Sequence, residues 1–402
     1  MKIKIVDSIM GSGKTSWAIQ RMNEKTNQNY IYITPFLSEV DRIKSSVKNK
    51  RFFEPKNLGE GKLDSLHKLI LDGKNIASTH ALFKMATEET IGLLRANNYT
   101  LILDEVMDVV EEVPLNKNDL ELLFSSDMIR VDKDNNNLVI WNEDKLDWDT
   151  KYNSLRNQCL SKNVFMVNNT LLMWTFPIEV FKSFRNIYVL TYMFNGQLQK
   201  YYYDIYNLEY EYFSVHEIDG KYVLGQYIET YDLQDIKSKI NIIDDNINLV
   251  GDSKTALSMN WFDRQGNKLL IQQLKKNLNN YFRNKLKSKS TDNMWTTFKE
   301  YESKLAGKGY TKGFVSINSR ATNDYAYKSN LAYCGNRFMN PYIKQFFLDR
   351  EVKVNEDVFA LSELIQWIWR SRIRNNEPIN LYIPSKRMRE LLTGWLNGEI
   401  KQ

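Results

Sequence analysis

The chain has 402 residues, 43% of them hydrophobic and 13% aromatic, which is enough for two or three domains with substantial cores. Its two cysteines, Cys159 and Cys334, are too few and too far apart for a disulfide framework, and no apolar run approaches the roughly 20 residues of a membrane-spanning helix. The low cysteine count and the lack of a signal peptide at Met1 lead us to expect a cytoplasmic protein, and its net charge of +6 is mild.

Residues 1–110 alternate between short apolar strands and helical segments. Strands are predicted at residues 2–6, 30–34, 75–78 and 101–103, and helices at residues 15–23, 39–47 and 81–88. This alternation is typical of a parallel sheet that is covered by helices on both faces. Two later apolar runs, at residues 171–174 and 187–191, are candidates for further strands of the same sheet.

The segment between the first strand and the first helix has the composition of a phosphate-binding loop (P-loop). It reads Ser8-Ile9-Met10-Gly11-Ser12-Gly13-Lys14-Thr15-Ser16. Glycines let backbone N–H groups surround phosphates, and the helix N-terminus adds partial positive charge. Lys14 is predicted to reach the β- and γ-phosphates of ATP, and the Thr15 hydroxyl to bind Mg²⁺. Nucleotide binding is predicted for Gly11, Ser12, Gly13, Lys14, Thr15 and Ser16.

An acidic pair, Asp104-Glu105, follows the apolar strand predicted at residues 101–103. After a P-loop in the same sheet, such a pair is predicted to serve ATP hydrolysis. Asp104 would hold Mg²⁺ through water, and Glu105 would position and polarise the attacking water. Asp108, one helical turn beyond Asp104, is either a supporting residue or a solvated one, and we favour the second interpretation.

The middle of the chain is aromatic and then basic. Between residues 201 and 231, tyrosines recur with the alternation typical of strands; they form either a platform for stacking bases or, more commonly, core and sheet surface. Between Arg264 and Lys312 there are twelve Lys or Arg and only three Asp or Glu. Such a segment suits a polyanion such as DNA or RNA, and its alternative is a solvated surface.

The last part of the chain is again patterned as strands and helices. A strand is predicted at residues 313–317, a helix at 361–374, a strand at 379–383 and a terminal helix at 386–396. This pattern suggests a second α/β domain.

Several of these motifs resemble those of superfamily 2 helicases, specifically the phage and mobile-element type with a DEAD/DEAH-like box. The run Asp104-Glu105-Val106-Met107 stands where that box lies, and Ser8 replaces the usual first P-loop glycine, as helicase loops often show. Thr34-Pro35 and Thr79-His80 resemble the two motifs that contact the nucleic-acid backbone. The motif that couples hydrolysis to strand movement has two candidates, Trp174-Thr175-Phe176-Pro177 and Leu190-Thr191-Tyr192, between which the sequence does not decide.

The stretch from Gln366 to Arg374 resembles the arginine-finger motif of the same superfamily. On a helix, Gln366, Arg370 and Arg374 would share one face, while Arg372 would point away from it. We therefore predict that Gln366, Arg370 and Arg374 act in catalysis, with Arg372 in reserve if the helix ends early. A fixed guanidinium charge is suited to the transferring phosphoryl group.

Arg320-Ala321-Thr322-Asn323 stands where the second domain of such helicases contacts the nucleic-acid backbone. Arg320 and Thr322 are the predicted contacts, and a helix N-cap is an equally good explanation of Thr322 or Asn323.

The resemblance implies two RecA-like P-loop-fold domains in tandem, at residues 1–200 and 201–402. The second is predicted to contain an aromatic and basic insertion at about residues 201–312 and the arginine-finger helix at 361–374. The implied activity is an ATP- and Mg²⁺-dependent nucleic-acid helicase or translocase, with DNA favoured over RNA, replication proteins as possible partners and the host cytoplasm as its location. The alternatives are a phage DNA-packaging ATPase and a nucleotide kinase of the thymidine-kinase type.

Overall fold

The computed structural model describes residues 2–57, 59, 61–317 and 324–401. The chain divides into two compact units. Unit 1 comprises Met1–Tyr227 with Asn340–Val354, and unit 2 comprises Ile228–Met339 with Asn355–Gln402. Unit 1 therefore extends beyond the domain boundary predicted after residue 200. In the part of the chain that the structure describes, every helix is too short or too polar to cross a lipid bilayer.

The strands alternate with helices along much of the chain, as the sequence predicts. The strands are β1 (Lys2–Asp7), β2 (Tyr30–Thr34), β3 (Phe52–Phe53), β4 (Asn75–Thr79), β5 (Thr100–Asp104), β6 (Val110–Glu112), β7 (Ile129–Asp132), β8 (Leu138–Trp141), β9 (Val164–Val167), β10 (Leu171–Thr175), β11 (Asn186–Thr191), β12 (Tyr210–Ile218), β13 (Lys221–Gly225), β14 (Ile240–Ile243), β15 (Asn293–Thr296), β16 (Asn330–Tyr333) and β17 (Ile379–Tyr382).

The helices are mostly short. They are α1 (Lys14–Glu24), α2 (Leu37–Ser46), α3 (Lys62–Leu71), α4 (His80–Phe83), α5 (Glu88–Asn97), α6 (Lys117–Ser125), α7 (Asn153–Leu160), α8 (Ile178–Lys182), α9 (Leu198–Ile205), α10 (Gln234–Lys239), α11 (Met259–Asp263), α12 (Lys268–Asn279), α13 (Glu302–Leu305), α14 (Pro341–Leu348), α15 (Glu356–Ile368) and α16 (Lys386–Leu396).

Unit 1 is built on an eight-stranded sheet in the order β13-β12-β1-β11-β5-β2-β4-β3. All of its neighbouring strands are parallel except β12 and β13, which pair antiparallel. The inner strands are apolar on both faces, as burial on both sides requires, and every residue of β2 is buried. On one face the sheet packs against α1, which buries Trp17, Ala18 and Met22. The parallel strands bring their carboxyl ends to one edge, where the predicted site residues lie.

A second sheet of unit 1 lies between β5 and β11 in sequence. Its five strands are antiparallel in the order β6-β10-β9-β8-β7. The apolar run at residues 171–174 becomes β10 of this sheet, so the prediction that it extends the parallel sheet is wrong. The run at residues 187–191 does join the parallel sheet, as β11 between β1 and β5.

Unit 2 contains a four-stranded parallel sheet in the order β14-β17-β16-β15. The strand predicted at residues 313–317 is not formed, because neighbouring side chains occupy its carbonyl groups. Trp367 donates from Nε1 to the Val315 carbonyl at 3.1 Å, and Arg370 from Nη1 to the Ser316 carbonyl at 3.3 Å. Only a single bridge, Trp295 to Phe314, links the segment to β15.

The aromatic insertion that the sequence predicted for the second domain, at residues 201–312, lies partly in unit 1. Residues 201–227 belong to unit 1, because β12 pairs in parallel with β1 and so extends the sheet that contains the P-loop. The tyrosines of this region are mainly structural: Tyr201, Tyr202 and Tyr203 are fully buried, and Tyr210 stacks edge-on against Phe194.

Candidate nucleotide site

The P-loop follows β1 and opens α1, as the sequence predicts. Gly11 and Gly13 adopt φ angles of 84° and 89°, which lie in the left-handed region that glycine enters without steric cost. The loop is closed by a hydrogen bond of 3.2 Å from the Ser12 amide to the Ile9 carbonyl. The Ser12 hydroxyl oxygen is buried and has no hydrogen-bond partner among the described residues. A buried polar atom without a partner is costly, so this hydroxyl suits a ligand oxygen.

Lys14 is the first residue of α1, and its amino group lies over the loop. Nζ donates to the Ser8 carbonyl at 2.6 Å and to the Ile9 carbonyl at 3.2 Å. Burial lowers the pKa of Lys14, while the charges of Glu105, Asp7 and Asp104 oppose that shift. Lys14 therefore lies within electrostatic reach of the predicted acidic pair. Thr15 and Ser16 are half-buried in the first turn of the same helix.

Asp104 ends β5, and Glu105 follows it in a left-handed conformation with φ of 70°. The Glu105 amide donates to the Leu190 carbonyl at 3.0 Å, which fixes the backbone at this turn. Left-handed backbone costs a residue with a side chain roughly 1–3 kcal/mol, and such strain is concentrated at functional sites. Desolvation raises the pKa of Asp104 to about 6, although a hydrogen bond from Tyr32 opposes the rise.

Asp7 is a buried carboxylate at the same edge that the sequence analysis missed. It ends β1, directly before the P-loop, and accepts hydrogen bonds of 2.9 Å from the amides of Met193 and Phe194. Burial raises the pKa of Asp7 to about 6, and these amides and the charge of Lys14 oppose the rise. The detectable signal was an acidic residue at the end of a strand, directly before the P-loop.

The two candidates for the coupling motif lie in different sheets. Thr191 ends β11 and pairs with Asp7 of β1. The residue before it, Leu190, pairs with Asp104 of β5. Its buried hydroxyl has no hydrogen-bond partner within the described part of the chain. Thr175 ends β10 of the antiparallel sheet, and its hydroxyl lies 3.3 Å from that of Tyr206. Only Thr191 therefore stands at the edge of the sheet where the P-loop and the acidic pair lie.

The predicted nucleic-acid residues of unit 1 come together at the ends of neighbouring strands. Thr34 ends β2 and pairs with Thr79, which ends β4; Pro35 and His80 are the residues that follow them. Thr34 is buried, and its hydroxyl has no hydrogen-bond partner in the described ranges. Pro35 and Thr79 are half-buried, and His80 is buried at the start of α4.

In unit 2, the predicted arginine-finger helix ends earlier than expected. Helix α15 ends at Ile368, so the prediction of a continuous helix to Arg374 is wrong, and Gln366, Arg370 and Arg374 do not share a helical face. The Ser371 hydroxyl donates to the Ile368 carbonyl at 2.7 Å and so competes with helix continuation.

These arginines differ in their surroundings. Arg370 is buried, with its guanidinium on the Ser316 carbonyl, and Arg374 is exposed on a short 3₁₀ turn. The reserve residue, Arg372, donates from Nε to the Pro378 carbonyl at 2.5 Å. Gln366 is half-buried within α15. Arg320 and Thr322 lie outside the described residues.

The basic segment of unit 2 exposes most of its charged side chains. Lys275, Lys276 and Lys287 are exposed, and Lys285 pairs with Asp245 at 2.6 Å. An exposed row of cations suits a polyanion better than an internal network of ion pairs does.

Comparisons with known proteins identify relatives of both units. The family model of the YonV middle domain matches residues 110–174, which form the antiparallel sheet of unit 1. That of the YonV C-terminal Rossmann-like domain matches residues 234–396. The SPβ prophage-derived protein YonV of Bacillus subtilis (strain 168) is 47% identical over 412 residues, covering 99% of each chain.

Two solved structures match almost the whole chain. The match to an XPD helicase structure covers 99% of this chain and 95% of the XPD chain, with a TM-score of 0.50 and 11% identity. The match to the structure of S. tokodaii Xpd4 covers 98% of this chain and 93% of the Xpd4 chain, with a TM-score of 0.47 and 11% identity. The first likeness confirms the predicted fold class, α/β with tandem RecA-like domains.

Proposed function

The chain belongs to the YonV family, and we propose that it is an ATP-driven helicase or translocase of the superfamily 2 type, acting on nucleic acid. One observation supports this above all others. At the carboxyl edge of a single parallel sheet, the P-loop cation Lys14 lies within electrostatic reach of Asp104 and Glu105. Phosphate-binding and hydrolytic groups therefore share one site, on a fold of the tandem RecA-like class.

The residues of this site fit ATP with Mg²⁺. The left-handed glycines at 11 and 13 and the buried Ser12 hydroxyl suit phosphate oxygens. Thr15 and Asp104 would hold Mg²⁺, which in nucleotide sites keeps water and phosphate ligands and needs only one or two protein groups. When bound, Mg²⁺ neutralises charge on the β- and γ-phosphates.

We propose a separate role in hydrolysis for each side chain of the site. Lys14 binds the phosphates, and Glu105 orients a water molecule and accepts its proton. Tyr32 holds the Asp104 carboxylate by a hydrogen bond of 2.6 Å. Thr191, at the same edge, is our choice for the coupling motif. We propose catalytic roles for Gln366, Arg370 and Arg374 as well, with the guanidinium groups stabilising charge on the transferring phosphoryl group.

Nucleic acid is the proposed partner. Thr34 and Thr79 end two neighbouring strands, and Pro35 and His80 follow them directly. We propose that this group contacts the phosphate backbone, for which small hydroxyl groups are suited. The exposed lysines of residues 264–312 supply the positive charge that such binding needs. We propose DNA rather than RNA as the substrate, with a role in replication or recombination and replication proteins as possible partners; the prophage origin of the relative YonV fits a phage protein.

Two observations weigh against the alternatives. A thymidine-kinase-type enzyme has no use for a second parallel α/β unit, and this chain has one. Packaging ATPases usually include a nuclease with clustered carboxylates, and the described residues contain no metal-binding cluster of that kind.

The test is ATP turnover measured without nucleic acid and with single-stranded DNA, duplex DNA and RNA. We expect stimulation by DNA, together with salt-dependent DNA binding. Turnover that no nucleic acid stimulates would contradict a motor function while leaving an ATPase. No turnover under any condition would remove the proposal altogether.

A further inference from the structure

Tyr222 lies against the P-loop, although no motif includes it. A Cβ atom added to Gly13 would come within 2.2 Å of Cε1 and 2.5 Å of Cδ1 of the Tyr222 ring. The ring therefore packs directly on the backbone at the start of α1. Position 13 requires glycine for two reasons: its φ of 89° lies in the left-handed region, and the Tyr222 ring leaves no room for a side chain.

The backbone of Tyr222 is bound to the same helix. The Gln20 side chain, two turns into α1, accepts from the Tyr222 amide at 3.0 Å and donates to its carbonyl at 3.2 Å. Tyr222 belongs to β13, the edge strand of the sheet, which pairs on one side with β12. Since Gln20 and Gly13 hold Tyr222 by its backbone and its ring, the position of the ring is set by the P-loop helix itself.

The sheet order shows on which side of the loop the ring lies. The acidic pair, Asp104 and Glu105, follows β5, and the order runs β13-β12-β1-β11-β5, so β5 and β13 flank the P-loop strand on opposite sides. With strands ~4.8 Å apart, they are separated by roughly 19 Å. A nucleotide with its γ-phosphate at Glu105 and its other phosphates on the P-loop extends its sugar and base away from β5. That direction leads toward the β12–β13 edge.

We infer that Tyr222 is the contact for the sugar and base of the bound nucleoside triphosphate, an inference that rests on the proposed ATPase function. The ring is half-buried and packs against the hydrophobic core cluster that includes Trp17 and Val215, so it is a rigid surface rather than a mobile side chain. Aromatic rings stack on any base, because every base presents a π-face. The contact therefore recognises nucleosides as a class and discriminates little between ATP and GTP.

The test compares Mg²⁺-ATP with Mg²⁺-tripolyphosphate, which has the same phosphates and no nucleoside. Equilibrium binding of both is measured for the wild-type chain and for Tyr222→Ala, Tyr222→Leu and Tyr222→Phe. Tyr222→Ala should weaken ATP and GTP binding together by about ten-fold or more, as loss of a stacking ring does. Its binding of tripolyphosphate should change by less than about two-fold, and Tyr222→Phe should bind ATP like the wild-type chain.

Tyr222→Leu keeps most of the packing volume without a π-face, so it tests the inference if the alanine variant unfolds. Tyr210→Ala is the matched control, since it removes a ring from the neighbouring strand β12 and the wild-type ATP affinity should persist. If Tyr222→Leu binds ATP normally, or if ATP and tripolyphosphate weaken equally, Tyr222 only packs against the P-loop and the inference is wrong. A wild-type chain that binds neither ligand would instead refute the ATPase function.

Discussion

The hydroxyl of Tyr32 donates a hydrogen bond of 2.6 Å to Oδ2 of Asp104. The two residues stand on neighbouring parallel strands, β2 and β5, at the edge where the P-loop begins. The bond stabilises the charged carboxylate, whereas desolvation by burial favours its protonated form and raises the pKa of Asp104 to about 6. The negative charges of Glu105 and Glu39 also raise this pKa and the positive charge of Lys14 lowers it, but burial and the Tyr32 hydrogen bond are the two largest contributions.

Tyr32→Phe should move the acidic limb of the pH dependence of ATP turnover to higher pH. Turnover needs the charged form of Asp104, so the rate should fall in the wild-type chain as the pH drops through about 6. Removing the hydroxyl removes a group that lowers this pKa, so the limb should move upward by about one pH unit. The measurement is kcat/KM for ATP between about pH 5 and 8.5, because kcat/KM reports the ionisations of the free enzyme, to which this pKa belongs.

Tyr30→Phe is the matched control, because that hydroxyl lies on the same strand and donates to Gln28 instead. Its profile should coincide with that of the wild-type chain. A downward shift in Tyr32→Phe, or equal shifts in both variants, would contradict the assigned role of the Tyr32 hydrogen bond.

Glu105→Gln should keep ATP binding and lose nearly all turnover, by a factor of roughly 10² to 10⁴, since it removes the proposed general base. Glutamine has the same size and backbone demands, so the left-handed φ of 70° costs it no more than glutamate. Phosphate release and ATP affinity are measured together, with Asp108→Asn as a nearby acidic control that should retain activity. Substantial hydrolysis by Glu105→Gln would remove Glu105 from this role.

The sequence predicted the arrangement of the first unit well because local motifs and parallel topology act together there. A P-loop after β1 and an acidic pair after β5 must meet, since parallel strands end at one edge. Asp7 was missed because its role depends on the amides of Met193 and Phe194, which are distant in sequence. The apolar pattern of a strand also does not show which strands it will pair with, so the sequence placed residues 171–174 in the wrong sheet.

The second unit was harder to predict for a similar reason. The hydrophobic pattern that suggested a helix to Arg374 continues past Ile368, but the Ser371 hydroxyl and a following 3₁₀ turn end the helix there. The strand expected at residues 313–317 fails because Trp367 and Arg370 take its carbonyl groups. The contacts of Trp367 and Arg370 are tertiary and override the local strand preference, whereas the contact of Ser371 is local to the end of the helix.

Replacing Lys275, Lys276 and Lys287 by glutamine should weaken DNA binding and flatten its dependence on salt. Each lysine that contacts a phosphate of duplex DNA contributes about 0.9 to the slope of log K against log salt, so the slope should fall by up to roughly 2.7. Lys285→Gln is the control, because Lys285 already pairs with Asp245 and should contribute less. An unchanged slope in the triple variant would make the segment an ordinary solvated surface.

The arginines after α15 test whether unit 2 serves ATP hydrolysis. Arg374 is exposed, so Arg374→Ala should fold normally and bind ATP nearly as well as the wild-type chain, yet hydrolyse it at least about ten-fold more slowly. An arginine finger acts mainly on transition-state charge and is worth ~10³–10⁵ in other phosphoryl-transfer enzymes, and two arginines would share that effect here. Arg370→Ala should lower turnover too, but it also leaves the Ser316 carbonyl without its donor, so its thermal stability is measured alongside.

Arg372→Ala is the comparison for both variants, because the Arg372 side chain is held on the Pro378 carbonyl and is expected to matter little for turnover. The decisive quantities are kcat and ATP affinity, measured at a temperature well below each variant's melting point. If Arg372→Ala loses most of its ATP turnover while Arg370→Ala and Arg374→Ala keep theirs, the early end of α15 makes Arg372 the arginine finger. If all three variants hydrolyse ATP normally, the arginines of unit 2 do not complete the ATP site, and the motor proposal loses the support that a second RecA-like unit gives it.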